Sequence, residues 1–328
     1  VLLAVSTLVG CGGSESSSLS SVTVGYGYGF SASSGPDKIG WDILKRKYGI
    51  TAKLKDMPSP TAAITALDRG DIQLLNISVA NLIPAVTAGA KLRIILPAKQ
   101  YSDVVAVGRP GITRVEQLRG EVFLLDDLEG TEATLARSMV KKAGLAVSDV
   151  SFPAVGDSPA RLVALERGRA AATVLDLAEY ERLAIEHKGY TVLGRVTDIQ
   201  PPGPANIWAV QTSFLDKHRA DIQKIVDALT EGYERAYTPA GRKVFLEEAA
   251  KGDLKGADPR IAERVYADYT AHDYWLHGSD VYREAAYNTL VAFWLHQGTL
   301  DKAPAFSDLW DVSFWRKAAE KKGDDSIG

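Results

Sequence analysis

Ala66-Leu67-Asp68-Arg69-Gly70-Asp71-Ile72-Gln73-Leu74 and Ala164-Leu165-Glu166-Arg167-Gly168, the second running on to Ala172-Thr173-Val174-Leu175, are two renderings of one phrase, and they decide the fold. The parallel continues upstream. Lys47-Tyr48-Gly49-Ile50 leads through a strand to Ser59-Pro60 and a helix, and Lys142-Ala143-Gly144-Leu145 leads through Val150-Ser151-Phe152 to Ser158-Pro159 and a helix. Matching pieces lie 95 to 99 residues apart. Glycine ends a helix in the left-handed conformation, serine caps the next helix, and proline sits at its first position, where its missing N–H costs nothing. Such punctuation occurs in any α/β chain; its recurrence in the same order points to two similar lobes.

Working outward, residues 22–24 read as a strand, 37–48 as a helix with Pro36 before it and Gly49 after it, and 51–55 as a second strand. Two proline- and glycine-rich junctions mark where the chain crosses between lobes. Gly108-Arg109-Pro110-Gly111 follows strand-like Val104-Val105-Ala106-Val107, and Pro201-Pro202-Gly203-Pro204 precedes strand-like Ile207-Trp208-Ala209-Val210. Residues 109–204 are therefore expected to form lobe 2, inserted into a lobe 1 made of 22–108 and 205–328. The portion from Phe214 onward is helical in pattern and rich in Trp and Tyr, and is expected to pack on lobe 1.

Composition narrows the function. The chain has 328 residues, 46% hydrophobic and 24% charged, with a net charge of −3, which excludes disorder and the basic field that holds a nucleic acid. Beyond the first nine residues no apolar run approaches the roughly 20 residues of a membrane-spanning helix. Cys11 is the single cysteine, so a disulfide framework and a thiolate metal cage are both excluded.

The position of that cysteine is informative. An apolar stretch, residues 1–9, runs into Gly10 and Cys11, and a Ser- and Gly-rich tether follows to Ser21. Leu8-Val9-Gly10-Cys11 resembles the lipobox of bacterial lipoproteins, in which cleavage leaves the cysteine as the lipid-bearing first residue. Residues 1–21 are then a signal remnant and tether. The basic n-region is absent, so the sequence is expected to begin inside the signal peptide. The other reading of this segment is a buried strand ending in a free cysteine.

Taken in order, the lipobox, the repeated Ala-Leu-acid-Arg-Gly unit, Ala88-Gly89-Ala90-Lys91-Leu92-Arg93-Ile94-Ile95, Val115-Glu116-Gln117-Leu118-Arg119-Gly120-Glu121-Val122 and residues 135–144 resemble the solute-binding lipoproteins of ABC importers. The resemblance is to the branch with the type II periplasmic-binding fold that includes nitrate-, sulfonate- and thiamine-pyrimidine-binding members. It covers residues 22–235 well and the C-terminal third loosely. It implies an α/β fold of two lobes with a ligand cleft between them and a helical C-terminal portion. It also implies a lipid-anchored, monomeric receptor outside the cytoplasmic membrane, facing the periplasm or cell exterior, that delivers a small organic solute to an ABC permease without cofactor or catalysis.

Strand ends and helix N-termini that face such a cleft supply free N–H groups and dipoles. The glycines of Gly25-Tyr26-Gly27-Tyr28-Gly29-Phe30-Ser31 let a ligand approach the backbone, and Tyr26, Tyr28 and Phe30 offer rings to stack on it; alternatively the aromatics fold into the core. Gly27-x-Gly29-x-x-Ala32 also fits a relaxed dinucleotide fingerprint, but residues 31–36 delay the helix that a true fingerprint opens at once. The turn 76–81, expected after a strand at 72–75, offers Ser78 and Asn81 as ligand contacts or helix caps.

In lobe 2, Asp126-Asp127-Leu128-Glu129-Gly130-Thr131-Glu132 stands where the family usually has a small Ser/Thr/Gly-rich turn for an anion. Its carboxylates would repel sulfonate or nitrate if they faced the cleft, whereas Glu132 could equally be a first-turn charge favoured by the helix dipole. With the aromatics they suit a neutral or cationic, planar organic solute. Gly130, Thr131 and Glu132 remain candidates, as do Asp157, Asp176, Asn206 and Trp208 by their places at strand ends and past the return crossing; Trp208 could also be core. Ser158 reads as an N-cap and Arg161 as a solvated side chain.

Catalysis has little support. The five histidines, at 187, 218, 272, 277 and 296, make no HExxH, and neither a Gly-x-Ser-x-Gly elbow nor a phosphate-binding P-loop occurs. An enzyme on the same scaffold, like the pyrimidine-forming proteins of thiamine synthesis, would need clustered cysteines and histidine that this chain lacks. A ligand sensor without transport is the third reading.

Overall fold

The computed structural model describes residues 18–320 apart from 127, 129, 156–157 and 276–283. Its strands form two sheets. The first has the order β2-β1-β3-β9-β4, built from β1 (Ser21–Tyr26), β2 (Thr51–Asp56), β3 (Leu74–Ser78), β4 (Leu92–Lys99) and β9 (Asn206–Gln211). The second has the order β6-β7-β5-β8, built from β5 (Val104–Gly108), β6 (Phe123–Leu124), β7 (Ala172–Asp176) and β8 (Thr191–Arg195).

The two sheets repeat one plan. β9 runs antiparallel between β3 and β4, and β5 runs antiparallel between β7 and β8. Residues 151–154 lie along β6 through parallel bridges, Val122 with Ser151 and Leu125 with Ala154, in the place that β2 takes beside β1. The punctuation read from the sequence is in place as well. Gly49 and Gly144, and Gly70 and Gly168, all stand at positive φ, between 67° and 80°.

Helices cover both sheets: α1 (Gly35–Tyr48), α2 (Pro60–Arg69), α3 (Val79–Thr87), α4 (Gly130–Lys142), α5 (Ser158–Glu166), α6 (Leu177–Glu186), α7 (Thr212–Lys217), α8 (Arg219–Ala236), α9 (Pro239–Lys251), α10 (Pro259–Ala271), α11 (Glu284–Gln297), α12 (Phe306–Leu309) and α13 (Ser313–Glu320). Ser59 caps α2 by accepting the Ala62 N–H at 3.2 Å, with Pro60 at the first position. β3 begins and ends later than the sequence predicts. As an inner strand it is paired on both sides as far as Asn76, so residues 76–78 continue the strand instead of forming a turn. Among the described residues no helix is long and apolar enough to cross a membrane.

The alternation of the strands sorts the core. Val22, Val24, Tyr26, Leu74, Trp208 and Val210 pack under α1 and α8, whereas Leu75, Ile77, Ile94, Ile207 and Ala209 face α2, α3 and α11. The C-terminal helices reach further than lobe 1. α10 joins α6 through the Arg264–Glu181 pair at 3.2 Å and β8 through Arg195–Asp268 at 2.8 Å, and Thr299 and Gln297, just past and at the end of α11, bond Thr134 and Ser138 of α4.

α1 and α8 approach closely enough for backbone contact. A Cβ on Gly232 would lie 2.6 Å from the Pro36 carbonyl oxygen and 2.6 Å from the Gly40 nitrogen, atoms that cannot swing aside. Gly232→Ala is expected to destabilise the protein by about 1–3 kcal/mol or more, measured by urea unfolding, with no loss in the far-UV spectrum of the folded state.

Candidate functional site

The sheet edges that meet at the interlobe crossings, residues 100–103 and 196–205, define the site. On the lobe 1 side, β1 ends in the loop holding Tyr28 and Phe30. Tyr28 is 58% exposed, and its hydroxyl is bonded to Asn81. That hydroxyl is nonetheless pushed up to about 12, chiefly by desolvation, while Ser78 pulls it back and Asp126 of the facing lobe raises it. The Asp126 contribution puts Tyr28 on the side of the first sheet that faces the second. Ser78 is the helix cap, accepting the Ala80 N–H at 3.2 Å. Phe30 donates its N–H to Asp56 at 2.8 Å, and the Ser31 hydroxyl pairs with that of Ser33 at 2.9 Å.

Tyr26 and Trp208 are placed differently from the expectation of ligand contact. They are 1% and 0% exposed and meet edge to face with centroids 5.7 Å apart. Strand alternation turns both side chains under α1, where they serve a buried network. Trp208 donates to the Tyr233 hydroxyl at 2.8 Å and Tyr233 to Asp37 at 2.6 Å; Trp41 donates to the Tyr26 hydroxyl at 3.0 Å and Tyr26 to Asp37 at 3.3 Å. Burial pushes Asp37 up to about 6, against the pull of Lys99 and the two hydroxyls.

Lys99, at the end of β4, was not read from the sequence as a site residue. Its Nζ donates to the Ser33 hydroxyl at 2.6 Å and lies 5.5 Å from the centre of the Tyr274 ring. Burial lowers its pKa, while Asp103, Asp37, Asp176 and Asp253 raise it. β9 sets Asn206 opposite both Ser78 and Lys99, and Asn76 opposite Trp208, so Asn76, Ser78, Lys99 and Asn206 share one face and one end of the sheet. Asn76 is 4% exposed with Nδ2 unpartnered, and the buried Oδ1 of Asn206 is unpartnered too.

On the lobe 2 side, Glu132 points inward from the first turn of α4 and is 9% exposed. It accepts from Arg161 at 3.1 Å and from the Asp126 N–H at 3.3 Å. Arg161 is therefore neither solvated nor free: it is 2% exposed and also donates to the Val174 carbonyl. Desolvation outweighs the Arg161 attraction and pushes Glu132 up to about 8, with Asp126 and Asp176 adding to the rise. Asp176, at the end of β7, precedes α6 without capping it. Its pKa is raised by desolvation first, then by Asp103 and Glu179, while Arg161 lowers it. Thr131 is half-buried at the start of α4, beside Gly130. Ser158 bonds Glu179. Asp157 and Cys11 lie outside the described residues.

The C-terminal segment supplies a third wall. Tyr269 donates to Asp103, Trp275 donates to the Ser33 carbonyl at 2.7 Å, and the Tyr274 carbonyl accepts from Gln100 in the first crossing. Spacing of aromatics in the sequence announced packing there, not proximity to the crossings. Elsewhere, depressions of about 390 and 600 Å³ open around Arg93 at the far end of β4 and contain no candidate residue.

The family model described as the phosphonate periplasmic substrate-binding protein of an ABC transporter matches residues 41–252. Among solved structures, the ligand-binding component of an ABC-type import system from Staphylococcus aureus has a TM-score of 0.72 at 13% identity, over 91% of this chain and 98% of that one. The periplasmic aliphatic sulphonate binding protein of Escherichia coli has 0.70 at 19%, over 90% and 94%. The periplasmic nitrate-binding protein of Synechocystis PCC 6803 has 0.67 at 10%, over 92% and 89%. These likenesses concern the fold, a two-lobed periplasmic-binding architecture. No curated protein matches the chain in sequence.

The buried carboxyls give the protein a pH signature. Glu132 holds a proton up to about pH 8 when folded, whereas its ordinary value is 4.5. Folding therefore takes up a proton within this window, so the contribution of Glu132 to stability declines as pH rises from 4.5 to about 8. The melting temperature of the ligand-free protein is expected to fall between pH 6 and 8, and Glu132→Gln to make the fall shallower, the rest coming from Asp37 and Asp176. A melting temperature that holds or rises across that window contradicts this placement of Glu132.

Proposed function

The chain belongs to the family of ABC-transporter periplasmic substrate-binding proteins of the phosphonate class, and on that premise we propose that it captures a small organic solute between its lobes and closes on it. The observation that carries the reading is the meeting of the two sheet edges. Tyr28, Ser78 and Asn81 from one side and Asp126, Glu132 and Asp176 from the other bring polar groups to a gap beside two chain crossings. A solute touching both sides favours the closed state by the difference in its contacts, and the crossings 100–103 and 196–205 absorb the rotation. In this reading the first lobe is 22–99 with 206–328 and the second 104–195: β5 lies in the second sheet, so the outgoing crossing precedes Val104 and does not fall at Gly108–Gly111 as the glycine and proline punctuation suggests.

Asn206, Thr131, Gly130, Phe30 and Ser31 belong to the same lining. The solute leaves chemically unchanged and passes to a membrane permease. A lipid on Cys11 would hold the receptor, a monomer, at the outer face of the cytoplasmic membrane through the Ser-rich tether.

Two measurements test this. A solute at a hundredfold excess over its Kd should stabilise the protein by about 2.7 kcal/mol, contract it in small-angle scattering, and be recovered intact. Stabilisation with a transformed solute refutes the receptor reading in favour of an enzyme. Cys11→Ser should release the full-length protein from membranes into the soluble fraction, and retention refutes the anchor.

A further inference from the structure

Resting on that reading, we infer that the solute is a small organic cation, an amine or a protonated nitrogen heterocycle, and not a phosphonate, sulfonate or nitrate anion. The gap holds more negative than positive groups, and its positive groups are already engaged. Arg161 is committed to Glu132 and the Val174 carbonyl, and Lys99 to Ser33 and the face of Tyr274. Asp103, Asp176 and Asp253 act on Lys99, and Asp126 and Asp176 on Glu132, so carboxyls outnumber the two cations; the partners of Asp103 and Asp253, the Tyr269 hydroxyl and the Ala32 N–H, are neutral and leave their charge in place. An incoming anion would meet this charge without a free cation to receive it, whereas a cation relieves the repulsion.

Three further observations shape the ligand. Asn206 Oδ1 is a buried acceptor without a donor, and Asn76 Nδ2, on a side chain 96% buried at the same sheet end, lacks an acceptor. Buried polar groups are normally satisfied, so these two fit a partner with N–H groups and a polar heteroatom. Tyr28 presents a largely exposed ring between the lobes, suited to the face of a cation. Among the described residues no three His, Cys, Asp or Glu converge as metal ligands.

The raised carboxyls add a coupling. Asp176 is faced by Asp103, Glu179, Asp253, Lys99 and Arg161, and Glu132 by Arg161, Asp126 and Asp176. A bound cation favours their ionised forms, so protons leave as it enters, and affinity for a ligand of fixed charge rises with pH.

The experiment is calorimetric titration of the full chain at pH 6 and 8 with choline, agmatine and 4-aminopyridine, against methylphosphonate, ethanesulfonate and nitrate. At least one cation should bind with the anions silent. Where it is choline, whose charge is fixed, the affinity should gain on the order of tenfold at pH 8. Asp176→Asn should weaken cation binding at least tenfold, and Asp253→Asn provides the second variant should the first fail to fold. Anion binding without cation binding overturns the inference and leaves the receptor reading standing. Silence towards both classes overturns the inference, and if a wide solute panel is equally silent the receptor reading falls with it.

Discussion

The structure depends on one antiparallel strand in each sheet. β9 occupies the slot between β3 and β4, so the first sheet stays incomplete until the chain has built the second and come back. β5 fills the corresponding slot between β7 and β8, so the outgoing chain is just as central to the second sheet. The first sheet therefore takes an inner strand from beyond the return crossing, the second begins on its own inner strand, and the two crossings run between the same two sheet ends. That constraint sets the site beside the crossings and makes them the natural place for any rotation.

Around this junction the protein accumulates polar groups that packing alone would not retain. Beneath the lobe 1 edge, Asp37 is held by two tyrosine hydroxyls, each in turn receiving a tryptophan N–H, which fixes the rings of Tyr26 and Trp208 under the sheet end. On the other side of the crossings, Glu132 and Arg161 pair out of water, and burial raises the Glu132 carboxyl more than Arg161 lowers it. Groups kept at such a cost cluster at functional sites, and here they cluster where the two lobes face each other. The family's description names phosphonate, whereas this chain puts carboxylates in its gap. The fold is shared with the family, whereas the ligand depends on the side chains that each member sets on that fold.

Much of the architecture was legible because it is local. Gly49 and Gly144, Gly70 and Gly168, and the Ser59-Pro60 start of α2 stand as read, since caps and left-handed glycines are decided within a few residues. Tyr28, Ser78 and Asn81 stand at or just past the ends of β1 and β3, where the order of strands and helices puts them. Tyr26 and Trp208 were not separable from them, because the period of two that buries every second strand residue does not say which face is core until the helices are laid on. Lys99, Asp103 and Asp253 gave no signal: they are far apart in the chain and ordinary in their neighbourhoods. Arg161 looked like a solvated helix residue, yet α4 brings Glu132 against it from 29 positions away.

By itself, then, the sequence determined the α/β class, the repeated unit, the punctuation of the helices and the acidic turn after β6, all properties set by residues close in the chain. Only the tertiary structure decided which aromatics are core, which charges are paired and which groups share the gap. It also placed the C-terminal helices against both lobes, through α6, β8 and α4, rather than on lobe 1 alone. Burial and charge pairing depend on what distant segments bring, and a carboxylate's neighbours, not its sequence position, set whether it is solvated, paired or waiting for a cation.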